Sequence, residues 1–189
     1  MMVAQPAPTL ANEVRRARAG DAQAFAALVR TAQRPVYGLC LRLLRSEAEA
    51  AEAAQETFLR AYQHLGRFDE RRPFDLWVMA IARNLCLDQL RRRQKVKTED
   101  VEEHAHALPS HDLSLEERAI EKQEHASLEG ALSTLPVEDR EVLALYYVQK
   151  RTTKEIAEII GVAPGTIMAR LFRAREKLRQ RLQPKEPLA

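Results

Sequence analysis

An all-α fold, in two small helical domains joined by a flexible acidic linker, is what this sequence predicts, and three observations carry it. Alanine, leucine, arginine and glutamate dominate, glycine accounts for 6 of the 189 residues, and alternating runs of valine, isoleucine and threonine are missing, so no sheet is expected. Apolar residues recur at helical spacing from Glu13 onward and again from Ser127. Between those periodic stretches lies a polar, acidic segment that contains Pro109.

The elements follow in order. Residues 1–12 form a proline-bearing tail expected to fray. Asp21 is placed to cap the helix "AQAFAALVRTAQ", and Pro35 is expected to interrupt it before "VYGLCLRLL". Ser46, with Glu49 three positions on, reads as a capping box opening a helix that runs to about His64. Glycine, aspartate and proline break the pattern in "LGRFDERRPFDLW", residues 65–77. A helix is predicted from Asp75 to Arg92, its apolar face made by Leu76, Met79, Ala80, Cys86 or Leu87, and Leu90. The first domain thus spans 13–94 and the linker 95–126, partly helical near its end; the second domain covers 127–183, and 184–189 form a tail.

In the second domain "LSTLP" ends one helix and "VEDREVLALYYVQ" makes the next. Then comes "KEIAEIIGVAPGTIMARLFRARE", residues 154–176. Thr152 and Glu155 form a capping box, Ile156, Ala157, Ile159 and Ile160 give the buried face, and Gly161 stops the helix because glycine tolerates the left-handed conformation. Val162 is placed to plug the corner, and Pro164 suits the first turn of a new helix that packs back through Ile167, Leu171, Ala174 and Leu178. This is a helix-turn-helix. Thr166, Met168, Ala169, Arg170, Phe172, Arg173 and Lys177 are left outward or at the rim. A helix fits the DNA major groove, where arginine pairs bidentately with guanine and apolar groups touch thymine methyls; the competing reading is a helical hairpin with a solvated basic face.

Charge distribution supports a polyanionic partner. The net charge is only +3, but Arg60 to Lys97 holds ten basic against four acidic residues, and Lys150 to Arg181 nine against three. Thr98 to Ala126 reverses to nine acids and two bases. Paired basic blocks gain affinity for phosphates by releasing counterions. In the first block Phe68, Phe74 and Trp77 lie among Arg67, Arg71, Arg72 and Arg83. Two placements stay open for these aromatics: core packing at a helix junction, or stacking on bases turned out of the duplex.

The segments "AEAAEAAQETFLRAYQHLGRFDERRPFDLWVMAIARNLCLDQLRRRQ" and "LSTLPVEDREVLALYYVQKRTTKEIAEIIGVAPGTIMARLFRAREKL", in that order, closely resemble the extracytoplasmic-function (ECF) sigma factors of bacterial RNA polymerase, in the sigma-70 superfamily. The resemblance runs from Gly20 to Leu182 and implies a sigma region 2 bundle and a sigma region 4 helix-turn-helix domain. It implies that Glu52, Gln55, Glu56 and Phe58 lie on or beside a surface for core polymerase; as apolar side chains, Phe58 and Leu59 are expected to face the core. Glu52 stands where the family usually has aspartate. Further along, the loop Gly66 to Pro73, with Phe68, Arg71, Arg72, Phe74 and Trp77, resembles the one that captures a flipped base of the minus-ten element. Arg83, Asn84, Asp88, Arg91 and Arg92 match the helix that reads and separates that element. Gly165, Thr166, Arg170, Phe172, Arg173 and Arg175 match positions that touch the minus-thirty-five element, where Met168 and Ala169 depart from the usual polar or basic residues.

The partners so implied are core RNA polymerase (the β′ clamp helices and the β flap), promoter DNA and an anti-sigma factor. The role so implied is transcription initiation for a stress- or signal-responsive regulon. No cofactor is called for. Other function classes explain fewer residues. A ligand-sensing transcription regulator accounts for the helix-turn-helix but not for the aromatic–basic loop or the "QETF" surface. An enzyme is disfavoured because no phosphate-cradling glycine loop, metal-ligand motif or nucleophile with its base is found. His104, His106, His111 and His125 in the linker raise a metal site against a plain polar tether, without regular ligand spacing. Cys40 and Cys86 sit in apolar helical patterns, so buried thiols in a reducing cytoplasm are expected rather than a disulfide. No apolar run reaches the roughly 20 residues of a membrane span, and the N-terminus lacks the pattern of a signal peptide.

Overall fold

The computed structural model describes residues 10–96 and 128–182. The chain divides into two compact units, Met1–Val96 and Lys97–Ala189. Among the described residues every regular element is helical. The linker reading and its four histidines lie outside the described residues, as do residues 1–9 and 183–189.

The first unit contains α1 (Leu10–Arg18), α2 (Ala22–Leu44), α3 (Glu47–His64), a 3-10 turn (Leu65–Arg67) and α4 (Phe74–Val96). Residues 10–12, expected to fray, belong to α1. Gly20 turns the chain at φ 93°, and Asp21 caps α2 by accepting from the Gln23 and Ala24 amides. Arg16 donates to the same carboxylate at 2.6 Å, and these bonds, led by the Ala24 amide, hold the Asp21 pKa below its ordinary value.

Pro35 does not interrupt α2; the helix runs through it. An interior proline costs about 3 kcal/mol in an isolated helix. Here Leu28, Ala32, Val36, Leu39 and Cys40, on both sides of it, are fully buried. Packing of α2 against α1, α3 and α4 outweighs the local cost. Arg45 then ends α2 in the left-handed region at φ 59°, its amide donating to Leu41.

Ser46 accepts from the Glu49 amide as expected, but the Glu49 carboxylate ion-pairs with Arg93 of α4, so it serves tertiary packing. The seam of α3 is made of small residues: Ala50, Ala53, Ala54, Thr57 and Ala61 face inward, and the Thr57 hydroxyl donates to the Ala53 carbonyl at 2.6 Å. Helix α4 is longer than predicted at both ends. Its buried face is Leu76, Met79, Ala82 and Cys86, with Val78 beside them; Ala80, Leu87 and Leu90 are only half-buried. Both cysteines are free and buried.

The second unit contains α5 (128–133), α6 (Val137–Leu143), a π-helical turn (Ala144–Val148), α7 (Thr153–Ile160) and α8 (Pro164–Leu182). The predicted single helix over "VEDREVLALYYVQ" widens in its last turn, which keeps Val142, Leu143, Ala144 and Leu145 in the core and leaves Tyr147 and Val148 exposed. Helix α8 packs on α6 and α7 through Ile167, Leu171 and Ala174.

Candidate nucleic-acid interface

The helix-turn-helix is built from local signals. Thr152 accepts from the Glu155 amide, and the Glu155 carboxylate accepts from the Thr152 amide at 2.7 Å. That amide, then the Thr152 hydroxyl, depresses the Glu155 pKa. Gly161 sits at φ 80° and donates to the Ala157 carbonyl at 2.8 Å, and α8 starts on Pro164.

With Ile167, Leu171 and Ala174 buried, α8 presents Gly165, Thr166, Met168, Ala169, Phe172 and Arg173 to solvent, with Arg170 half-buried on one flank. Met168 is 62% and Phe172 71% exposed, one helical turn apart on the same side. Two basic side chains of α8 are engaged within the domain. Lys177, at the rim, binds its ammonium to Asp139 of α6 at 2.6 Å, because a buried carboxylate there needs a partner. Arg175 lies over the rings of Tyr146 and Tyr147 at 5.2 and 5.4 Å, a cation–π contact on the opposite flank from Arg170.

In the first unit, the segment between the 3-10 turn and α4 carries the aromatic–basic cluster. Phe68 and Phe74 are 5% and 1% exposed, so of the two placements open for these aromatics the structure shows core packing. Their rings meet edge to face at 5.7 Å, and the Phe68 ring lies 4.8 Å from Trp77. Trp77 is half-buried and brings the edge of this cluster to the surface. Arg71 and Arg72 are exposed at the loop tip. Asp69 pins Arg71 by accepting from its guanidinium at 2.8 Å and its amide at 3.1 Å, which lowers the Asp69 pKa to about 2.

On α4, Asn84, Asp88, Arg91 and Arg92 share one exposed face, with half-buried Arg83 donating to the Asn84 side-chain oxygen at 3.3 Å. Arg91 is bound to Asp88 at 2.9 Å.

On α3, Glu52 and Gln55 are exposed and Glu56, half-buried, holds Arg60 at 2.7 Å. Phe58 is half-buried. Leu59, expected in the core, is 54% exposed, because the alanine seam takes the inner face. Leu59 and Tyr62, 49% exposed, extend the Glu52–Gln55–Glu56 strip at helical spacing. That spacing was available in the sequence; the small residues opposite were the unread signal.

Among the described residues no group of three or more His, Cys, Asp or Glu is arranged to hold a metal ion, and no helix is long and apolar enough to cross a membrane.

The sequence matches Sigma-70 region 2 over residues 28–96 and Sigma-70, region 4 over residues 125–178. It is 30% identical over 180 residues to the ECF RNA polymerase sigma factor SigW of Bacillus subtilis, covering 91% of this chain and 96% of that one. It is 34% identical over 180 residues to the RNA polymerase sigma-H factor of Pseudomonas aeruginosa, covering 90% and 92%. The solved sigma factor RpoE of Bartonella quintana, in complex with the anti-sigma factor NepR, shares the fold at TM-score 0.69 and 24% identity over 86% of this chain and 98% of that one. Two sigma regions in order, carried on helices that leave a basic recognition-type helix exposed, place this chain in the extracytoplasmic-function sigma-factor family of RNA polymerase.

Proposed function

We propose that this chain acts in the cytoplasm as a promoter-specificity subunit with no catalysis of its own. It binds core RNA polymerase, reads two promoter elements and helps open the duplex at the downstream, minus-ten element. The observation that carries this reading is the surface of α8: a capped, glycine-turned helix-turn-helix buries one face and presents Thr166, Met168, Ala169, Phe172 and Arg173, with Arg170 at the rim. Such a helix enters the major groove of the minus-thirty-five element, with arginines on guanine or phosphate and the apolar pair against thymine methyls.

Downstream, Trp77 is the aromatic that offers a surface to an unpaired base, with Phe68 and Phe74 as its support and Arg71 and Arg72 on the backbone. Asn84 faces the base edges of the minus-ten element, and Arg91 and Arg92 its phosphates. The strip of Glu52, Gln55, Glu56, Leu59 and Tyr62 on α3 docks on the β′ clamp helices, and the second unit meets the β flap. An anti-sigma factor covers these faces until a signal arrives; sigma–anti-sigma complexes among the structural neighbours support that part.

Separating base pairs costs about 1.4 kcal/mol per step, so a small helical domain opens DNA only with the contacts polymerase adds. Transcription in vitro with purified core polymerase on a genomic fragment library, with start sites mapped, tests the reading. Starts sharing two spaced sequence elements are expected. Starts indistinguishable from core enzyme alone overturn it.

A further inference from the structure

The exposed tip of the loop between α3 and α4 is tied down from a distance. Arg18, the last residue of α1, donates through Nε to the Leu65 carbonyl at 2.9 Å and through one Nη to the Phe68 carbonyl. Its other Nη is bound to the Glu70 carboxylate at 2.6 Å. One planar guanidinium thus holds three points of the segment, 47 to 52 residues away in sequence. Leu65 is the C-cap of α3, where a cation is also favoured by the helix dipole. The consequence passes inward as well as outward. The Phe68 backbone that Arg18 holds carries the ring that packs, tilted, 4.8 Å from Trp77, and Glu70 neighbours the exposed Arg71. Helix α1 lies outside the region 2 match, which begins at residue 28.

We propose that Arg18 is a positioning residue for the unpaired minus-ten strand. It touches no DNA; it acts through Leu65, Phe68 and Glu70 to keep Trp77, Arg71 and Arg72 in their binding arrangement before the strand arrives, so the loop is not ordered at the expense of affinity. This rests on the reading of the loop as the strand-capturing surface. Lysine cannot substitute, because an ammonium keeps the charge at the end of α3 but not the three-way fork.

The test uses the full chain assembled with core polymerase, in wild-type, Arg18→Lys, Arg18→Ala and Glu70→Gln forms. The probe is a single-stranded oligonucleotide carrying the minus-ten sequence recovered by start-site mapping, with 2-aminopurine at successive positions. For Arg18→Lys the expected result is unchanged affinity for core polymerase, a melting temperature of the free chain lowered by no more than a few degrees, about tenfold weaker oligonucleotide binding and a reduced fluorescence change at the unpaired base. Glu70→Gln, which removes the charge from one rim contact, is expected to weaken binding about threefold. Should Arg18→Ala fail to fold, these two variants carry the test. Oligonucleotide affinity equal to wild type in Arg18→Lys and Glu70→Gln overturns the proposal while leaving the functional reading intact. Core affinity and oligonucleotide affinity falling together also overturns it, since that is the pattern of a plain structural staple. A wild-type holoenzyme that ignores the oligonucleotide sinks the functional reading itself.

Discussion

Lys177 of α8 reaches across to Asp139 of α6, ammonium to carboxylate at 2.6 Å, and the carboxylate side chain is 9% exposed while the lysine is 45% exposed. A buried charge that loses its partner costs more than an exposed pair contributes. Lys177→Ala should therefore destabilise the second unit by about 1–2 kcal/mol. Adding Asp139→Asn should recover part of the loss. Denaturant unfolding of the four members of this cycle measures it; additive losses would mean the two groups do not interact.

Arg173 is exposed on the outward face of α8. Arg173→Ala should leave the melting temperature and core binding unchanged and reduce transcription from the cognate promoter roughly tenfold, the worth of a good arginine contact to a base. Equal loss of core binding and transcription would point to misfolding.

Met168 and Phe172, one turn apart and both more than half exposed, should make promoter recognition sensitive to the thymine methyl. Replacing a contacted thymine by uracil in the minus-thirty-five element should weaken holoenzyme binding about threefold, the value of one buried methyl. In Met168→Ala and Phe172→Ala the difference between the two DNAs should disappear. Identical sensitivity in all three proteins would assign the methyl contact elsewhere.

The cap at Thr152 orders the first helix of the helix-turn-helix, and Thr152→Ala should cost about 1 kcal/mol. The Glu155 carboxylate that completes it has its pKa lowered, first by the Thr152 amide. A carboxyl more acidic in the folded chain stabilises fully above its unfolded pKa and loses that contribution as pH falls through the folded one. Stability of the second unit should accordingly drop in acid below the ordinary glutamate range, and the Glu155→Gln protein should show a smaller drop. Parallel pH profiles would rule out the linkage.

Asp69 behaves in the same sense at the loop tip, titrating at about 2 in place of 3.8, chiefly because the Arg71 guanidinium donates to it. The turn should stay intact from neutral pH down past the ordinary aspartate value and open only as pH falls through about 2. Carboxyl chemical shifts followed by NMR report this directly, and a midpoint at the ordinary aspartate value would show that Arg71 swings free.

What the sequence determined by itself is whatever is settled within a helical turn. Asp21, Thr152 with Glu155, Gly161 and Pro164 each satisfy or release backbone groups of their immediate neighbours, so cap, stop and restart were legible, and with them the helix-turn-helix. The 3.6-residue period likewise identified residues that share a face. Tertiary structure decided the placements that depend on distant neighbours. Phe68 and Phe74 went inside because each other and Trp77 were there to meet them, Lys177 turned to an aspartate 38 positions away, and Arg175 settled on two tyrosines of a widened turn. Leu59 was left outside by an alanine seam, Pro35 was carried through by packing on both sides, and Arg18 found its loop across half a domain. The physical reason is range: a cap is closed by atoms the chain keeps adjacent, whereas burial and ion pairing depend on neighbours that only the folded chain brings near.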